Sequence, residues 1–419
     1  MAYIGNAPAA GIVDSGNILN GAIKTEDLAD AAVTAAKLAA AAVTDKLGYT
    51  PLDQQQLGGF SFRNLMINGD MRVAQRSTAP LTGLTGYNQR IADMHRTGGG
   101  NQATGRHAIY RKNSVDPSSS EYELGSSPAG FTHSLKYVVE VPEYASTSGP
   151  LFHSMFIEGH LLHGLNLGTA NATPVTLSFW VKSSVVGLYE VQVHNNLDVM
   201  NHVGFTVNQA NTWEKKTITM PAETTKAWKS GVDLGMRLDW VLKKDASSDT
   251  PAASNTWSTS TSGFLPNVVN WMGNAGATFY ITGVQVEAGS VATPFERRPY
   301  GVELSLCHRY VYVLNSAMQD SNWGIGRWEG NLVYVQIVYP SVMRSLPSVG
   351  LTGDITGLKA VYPQVNWYQV NGINSVHQNG LKSMDLTFST SEYGVPGKTF
   401  TQLASMGSST ARLIVSAEF

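Results

Sequence analysis

The stretch TPVTLSFWVKSS, Thr173 to Ser184, alternates cleanly. Val175, Leu177, Phe179 and Val181 take every second position, and Thr176, Ser178, Trp180 and Lys182 take the others. In an extended chain successive side chains point to opposite faces, so this segment has one apolar face and one largely polar face. The pattern predicts a half-buried antiparallel strand. THSLKYVVEV, LYEVQVHN, WEKKTITMP and ATFYITGVQVEAG are strands of the same kind, separated by turns rich in Gly, Asn and Ser. Many short strands with such turns indicate a β-sandwich or jelly roll. The segment from Asp245 to Gly263, DASSDTPAASNTWSTSTSG, reads as a long polar loop inside it.

Composition agrees with a β-rich chain whose polar surface is mostly neutral. Only 14% of residues are charged and 41 are Gly, against about 25% charged in an average soluble domain. A net charge of −2 gives no bulk attraction to nucleic acid or anionic lipid. One cysteine, Cys307, leaves no internal disulfide and no cysteine-based zinc site. No apolar run reaches the roughly 18 residues of a membrane span, so no membrane insertion is expected. MAYIGNAPAAG has neither a basic region nor an apolar core, so no signal peptide is expected.

The N-terminal stretch is built differently. Ile18, Ile23, Leu28, Val33, Leu38 and Val43 recur every five positions within GAIKTEDLADAAVTAAKLAAAAVTDKLGYT and the residues just before it. On a helix a step of five turns about 500°, so successive members land about 140° apart and form no single stripe. Heptads are absent, which disfavours a coiled coil. In TEDLA, TAAKLA and TDKLG a Thr precedes a short run of helix formers, an N-cap signature. Each decad is then either a Thr-capped turn or an extended step. One unit buries almost nothing and about 30 residues cannot enclose a core. The apolar column therefore needs sister chains, and an intertwined oligomer is expected.

The chain divides accordingly. Residues 1–20 precede the shaft; 21–63 hold the decads and the Gly/Gln/Pro-rich LGYTPLDQQQLGG linker; 64–298 form the sandwich; 299–419 form a second β domain. PFERRPYGVEL, Pro294 to Leu304, reads as a hinge, with two prolines around a charged run. LSLCHRYVYVL, NLVYVQIVYP, VNWYQVNG, SMDLTFST and ARLIVSAEF are the strands expected beyond it. The alternation of Leu413, Val415, Ala417 and Phe419 predicts that the final segment is built into a sheet.

These residues resemble a known family. MAYIGN, the decad AVTAAKLAA and DKLGYTP are similar to N-terminal regions of bacteriophage tail fibres. NLMINGDMRVAQR followed by YNQRIADMHR resembles the start of a jelly-roll module of phage fibres related to carbohydrate-binding modules. TPVTLSFWVKSS, NTWEKKTITMPAETTKAW and FYITGVQVEAGSVATPFERRPYGVELSLCHRYVYVL are similar to further stretches of that module and its exit, and YPSVMRSLPSVGLTG with ARLIVSAEF to the distal domain that follows. Two departures stand out. Asp93-Met94-His95 lacks the aromatic that often follows that aspartate, and the decad array is short. The resemblance implies a mainly β, intertwined homotrimer: a short N-terminal repeat or helical shaft, a jelly-roll β-sandwich and a distal C-terminal β-sandwich domain. It further implies residues 1–20 bound to adaptor- or nozzle-type tail proteins, distal domains adsorbing to host surface glycan, and a location in the virion tail after assembly in the host cytoplasm.

Sugar recognition sets aromatic faces against C–H-rich rings and uses Asn, Gln and Asp for hydroxyls. The glycan-binding candidates are Trp323 and Trp328 in the Gly-rich SNWGIGRWEG, the adjacent Trp367 and Tyr368, and Trp180 on the polar face of its strand. The polarity expected is assembly at the N-terminus and recognition at the end carrying Trp323 and Phe419. Trp213 and Trp228 are expected to pack inside the sandwich or against a loop. Jelly rolls of the resembling kind often hold one structural calcium, and Asn68, Asp70 and Glu287 occupy the matching places; Thr282 and Gly283 stand where a carboxylate would help. No other cofactor is implied. Glu158, His160 and His163 in EGHLLHG suit a metal only on a helix, lack a third ligand and the HExxH order, and read as a surface or interface pair. The sequence has no GxSxG elbow, P-loop or Cys/His nucleophile arrangement and no β-helix rung periodicity, so the expectation is a non-enzymatic fibre. The alternatives are a polysaccharide-degrading tailspike and a purely structural virion protein.

Overall fold

The computed structural model describes residues 62–419, apart from 77–78, 86–87, 101–104, 144–148, 196–197, 245–252, 260–262, 316–321, 356–357, 362–366, 391–400 and 406–410. Residues 1–20, expected to attach to the tail, the decads with Ile18, Ile23, Leu28, Val33, Leu38 and Val43, the 47–59 stretch and much of the 245–263 loop lie outside the described residues. In chain order the strands of the first region are β1 (Leu81–Leu84), β2 (His95–Gly99), β3 (Arg106–Asn113), β4 (His133–Val141), β5 (Leu151–Glu158), β6 (Val175–Ser183), β7 (Gly187–His194), β8 (Met200–Val207), β9 (Glu214–Met220), β10 (Leu234–Lys243), β11 (Trp257–Ser258) and β12 (Thr278–Ala288).

They make two six-stranded antiparallel sheets, ordered β1-β3-β4-β12-β6-β9 and β11-β8-β7-β10-β5-β2. The inward face of the first supplies Tyr137, Leu177, Phe179, Val181 and Ile281, and that of the second supplies Met155, Val191, Leu238 and Trp240. Phe179 stands edge-on to Trp240 with centroids 5.5 Å apart, which joins the two layers. Each large buried side chain contributes on the order of 1.5–3 kcal/mol. The alternation in β6 is as expected, but its second face is not open. Thr176 and Ser178 are buried too; Thr176 donates to the Gly289 carbonyl at 2.7 Å. A polar face can be buried when its groups find partners, and this one does.

The exit is a joint rather than a hinge. Arg298 is buried and donates to the carbonyls of Asn64 and Met66 and to Glu296 and Glu303. The expected strand LSLCHRYVYVL is half helix: α1 spans Tyr300–His308, and extended structure begins only at Val311. Glu303 and Cys307, one helical turn apart, are the buried positions of α1. Glu303 accepts the Asn68 backbone N–H at 2.5 Å, and Cys307 packs with Ile67, Val73 and Met94. Contacts distant in sequence thus set this segment, overriding the strand-like run of apolar residues.

The second region contains β13 (Val311–Asn315), β14 (Asn322–Glu329), β15 (Leu332–Val338), β16 (Ser348–Thr352), β17 (Leu358–Val361), β18 (Trp367–Asn379), β19 (Ser383–Thr390), β20 (Thr401–Ser405) and β21 (Arg412–Ser416). The expected distal sandwich is instead a closed barrel, β14-β15-β19-β18-β17-β20, beside a three-stranded sheet β13-β21-β16. Closure occurs because β20 pairs with both β14 and β17, which removes the free sheet edges.

The final segment is in a sheet, as expected, since β21 lies between β13 and β16. Its end does not form a distal tip. Glu418 is buried against Arg76 and Arg90, and the Phe419 ring lies 6.0 Å from that of Phe156 in β5 and 4.0 Å from the Arg344 guanidinium. The chain's last residues fold back onto the sandwich, and the described residues belong to one compact unit. Among the described residues no helix is long and apolar enough to cross a membrane.

Candidate functional site

The outside of the barrel carries an open cleft of about 560 Å³ lined by Gly326, Arg327, Tyr334, Val335, Gln336, His377 and Asp385. Strand β15 creates its wall. Val333, Val335 and Ile337 are buried in the barrel, so Tyr334 and Gln336 point outward. Arg327 is registered opposite Tyr334 across the β14–β15 pair, and its guanidinium sits 4.6 Å over the ring. On the other side the His377 ring of β18 stacks on Tyr334 at 5.6 Å and 27°, passing over the fully buried Thr387 of the intervening β19. Three planar groups therefore line up across four strands, with the outer two, Arg327 and His377, exposed.

Polar groups frame this stack. Gln336 and Asp385 are cross-strand partners with Nε2 and Oδ1 3.4 Å apart, and Ser375 Oγ lies 2.8 Å from His377 Nε2. Gly326 makes the close approach of β14 to β15 feasible: a Cβ there would lie 1.8 Å from the Tyr334 carbonyl oxygen. Planar rings beside amide, carboxylate and guanidinium groups are equipped to bind a polar ligand with C–H-rich faces through stacking and hydrogen bonds. A few convergent polar groups in a concave surface are the usual composition of a ligand site.

The aromatic residues singled out from sequence sit elsewhere. Trp323 and Trp328 are 5% exposed and belong to the barrel core. This corrects the expectation of a Trp-bearing surface loop: SNWGIGRWEG is mostly strand β14, and its large apolar rings turn inward. Trp328 Nε1 donates to the Gly330 carbonyl at 2.7 Å, pinning the β14–β15 turn. Tyr368 is half-buried and meets Trp328 edge-on at 4.7 Å. Trp367 opens β18, paired with Val361. Trp180 is half-buried beside Phe131 over Gly283. Among the described side chains, Trp323, Trp328, Tyr368 and Trp180 do not line the cleft. The signal that would have found Tyr334 and Gln336 is the alternation of LVYVQIV. The alternation of SMDLTFST likewise turns Asp385 outward, but Arg327 and His377 have no such signal, and only the barrel brings these residues together.

The proposed calcium residues do not fit a cation. Asp70 is bound by Arg72 at 2.5 Å, and burial raises its carboxyl's pKa even against that partner. Glu287 accepts from Gln285 and from Thr293. Asn68, with a left-handed backbone, spends its side chain on Val73 and Asp93. Among the described residues no group of three His, Cys, Asp or Glu forms a metal-binding cluster. Glu158 is buried under Arg309, Tyr310 and His160, while His163 lies in the 3₁₀ turn Gly159–Leu165.

Two buried polar groupings in the sandwich domain, one on each side of the second sheet, satisfy themselves internally. On the outer side of the second sheet, Ser154 donates to Asp239 at 2.5 Å and His194 Nε2 lies 3.1 Å from the same carboxylate. The serine thus meets a carboxylate and not an imidazole, which is not a nucleophile arrangement. In the core, Tyr137 Oη is 2.8 Å from His153 Nδ1, His153 Nε2 is 3.5 Å from His95 Nδ1, and His95 Nε2 is 2.9 Å from the Asn68 carbonyl. With both rings neutral, every N–H and O–H runs one way toward that carbonyl. Burial lowers His95 to about 4 and pushes His153 well below its ordinary value, the latter helped by repulsion from His95.

No family model matches the sequence, and no curated protein matches it. Similar solved structures include the enzymatically active domain of tailspike protein 4 of bacteriophage CBA120, at 10% identity and a TM-score of 0.28, covering 54% of this chain and 21% of that one. A family 61 carbohydrate-binding module in complex with β-1,4-galactotriose is similar at 12% identity and a TM-score of 0.23, covering 46% and 88%. So is the family 11 carbohydrate-binding module of a Clostridium thermocellum cellulosomal cellulase, at 9% identity and a TM-score of 0.23, covering 52% and 99%.

Proposed function

We propose that this chain is a non-enzymatic bacteriophage tail fibre protein that adsorbs to host surface glycan through the outer face of its C-terminal barrel. The observation that carries the reading is the exposed Arg327–Tyr334–His377 stack, framed by Gln336 and Asp385. The stack offers planar surfaces to sugar rings, and the framing groups meet hydroxyls. The spacing of five from Ile18 to Val43 supports assembly as a homotrimer, with residues 1–20 attached to adaptor- or nozzle-type tail proteins in the virion. The test is binding of the full chain to a panel of host surface polysaccharides, alongside the Tyr334→Ala variant. Wild type retains one polysaccharide and leaves it intact; the variant folds but loses it. Undiminished binding by the variant would move the site elsewhere, and release of reducing ends would make the protein a hydrolase. Light scattering of the full chain gives three copies; a monomer would sink the trimeric shaft.

A further inference from the structure

The outer face of the first sandwich sheet carries a second ordered surface, far from the barrel in sequence and different in chemistry. Register places Tyr110 of β3 opposite Lys136 of β4, Lys136 opposite Tyr280 of β12, and Tyr280 opposite Lys182 of β6. Trp213, just before β9, completes the row. Aromatic ring and ammonium alternate across the sheet. Lys136 Nζ is 5.2 Å from the Tyr280 centroid and 6.0 Å from that of Tyr110. Lys182 Nζ is 4.1 Å from Tyr280 and 5.3 Å from Trp213, and Lys112 flanks the row 4.9 Å from Tyr110.

Three ammonium groups face one carboxylate. Glu123 binds Lys136 at 2.8 Å, Lys112 at 3.4 Å and the Tyr280 hydroxyl at 2.5 Å. Lys182 is left with the Gly125 carbonyl, which Trp213 Nε1 shares. The nearby acids Glu121 and Glu214 already hold Arg111 and Lys216. Ser126 and Ser127, which follow Gly125, bury hydroxyls without a hydrogen-bond partner. The row is therefore cationic by two charges and has a carboxylate, Glu123, seated where an acidic ligand group would sit.

We propose that this row binds an anionic polysaccharide, with its acidic groups on Lys136 and Lys182 and the Glu123 carboxylate displaced. The two lysines stand two strand spacings apart, roughly 10 Å, which matches a chain with one acid for every two sugar residues. Single-stranded nucleic acid is disfavoured because stacking needs open ring faces, and here the ring faces are occupied by ammonium groups.

The test is direct binding of the full chain to hyaluronate, which carries one carboxylate per disaccharide, with neutral dextran and an oligo-dT as comparisons. Hyaluronate binds, dextran does not, and added salt weakens binding. Lys136→Gln/Lys182→Gln weakens it about tenfold, as loss of two partly buried charge contacts allows, while Glu123→Gln strengthens it. Tyr334→Ala leaves it unchanged, so failure here is distinguishable from failure of the barrel site. Binding that ignores salt, dextran bound as well as hyaluronate, preference for oligo-dT, or a double variant that folds and binds like wild type would each overturn the proposal. If the double variant does not fold, unchanged or weaker binding by Glu123→Gln overturns it as well.

Discussion

The sandwich and the barrel are both antiparallel, yet they treat the second face of a strand differently. In the sandwich, β5, β6 and β10 are buried almost throughout, and their outward polar groups are consumed by one another, as in Ser154–Asp239–His194. In the barrel, β15 alternates in burial all along its length, so Tyr334 and Gln336 stay on the outer surface, where Arg327 and His377 extend the stack to exposed planes. A polar face is a recognition surface only where nothing else in the protein satisfies it. The Lys136–Tyr280–Lys182 row is intermediate: ordered by its own contacts, but with charge left over.

The comparison breaks first in the cores. Trp240→Ala, fully buried between the two sandwich sheets, should cost about 3–5 kcal/mol and is read as a large fall in denaturant midpoint. Trp328→Ala should cost a similar about 3 kcal/mol in the barrel, which separates its packing role from the glycan role first expected of it. At the joint, Glu158→Ala removes the buried acceptor of Arg309 and Tyr310, with an expected loss of about 3 kcal/mol; an unchanged melting temperature would mean the joint bears no strain of folding.

Acid tests the sealed core specifically. His95 and His107 are lowered by burial to about 4 in the folded protein, against about 6.5 in an unfolded chain. Between these values the unfolded state binds more protons, so stability falls as pH drops from 6.5 toward 4. Asp93, raised to about 6 by burial and by Glu418, acts oppositely, losing stability as pH rises from 3.8 through 6. Asp70, Glu121 and Glu303 are raised in the same sense as Asp93, but His133 and His153 are lowered too and Glu214, Asp239 and Glu418 are held low, so the net expectation is acid destabilisation. His95→Gln should flatten the curve of unfolding free energy against pH; an equally steep curve would rule out this origin. The smallest effect on folding belongs to Tyr334→Ala, within about 0.5 kcal/mol, although its effect on glycan binding is the largest.

Much of the architecture was legible locally. SMDLTFST is β19 in full, WEKKTITMP contains β9, and ATFYITGVQVEAG contains β12, because alternation is a property of neighbours along the chain. The misses share one cause. LSLCHRYVYVL is half helix because Glu303 and Cys307 find partners over 200 residues away in sequence. Trp323 and Trp328 turned inward because strand β14 faces a closed barrel, and a Gly-rich sequence does not tell a loop from a tightly paired strand.

Sequence alone determined that this chain is mainly β and where most strands run, since a period of two is written in adjacent residues. It also raised the spacing of five at the N-terminus, whose local form lies outside the described residues. Tertiary structure decided which polar faces stay open. Arg327, Tyr334 and His377 meet, and Lys136, Tyr280 and Lys182 line up, only through cross-strand register. Register is set by long-range pairing and closure, which no local stretch of residues encodes.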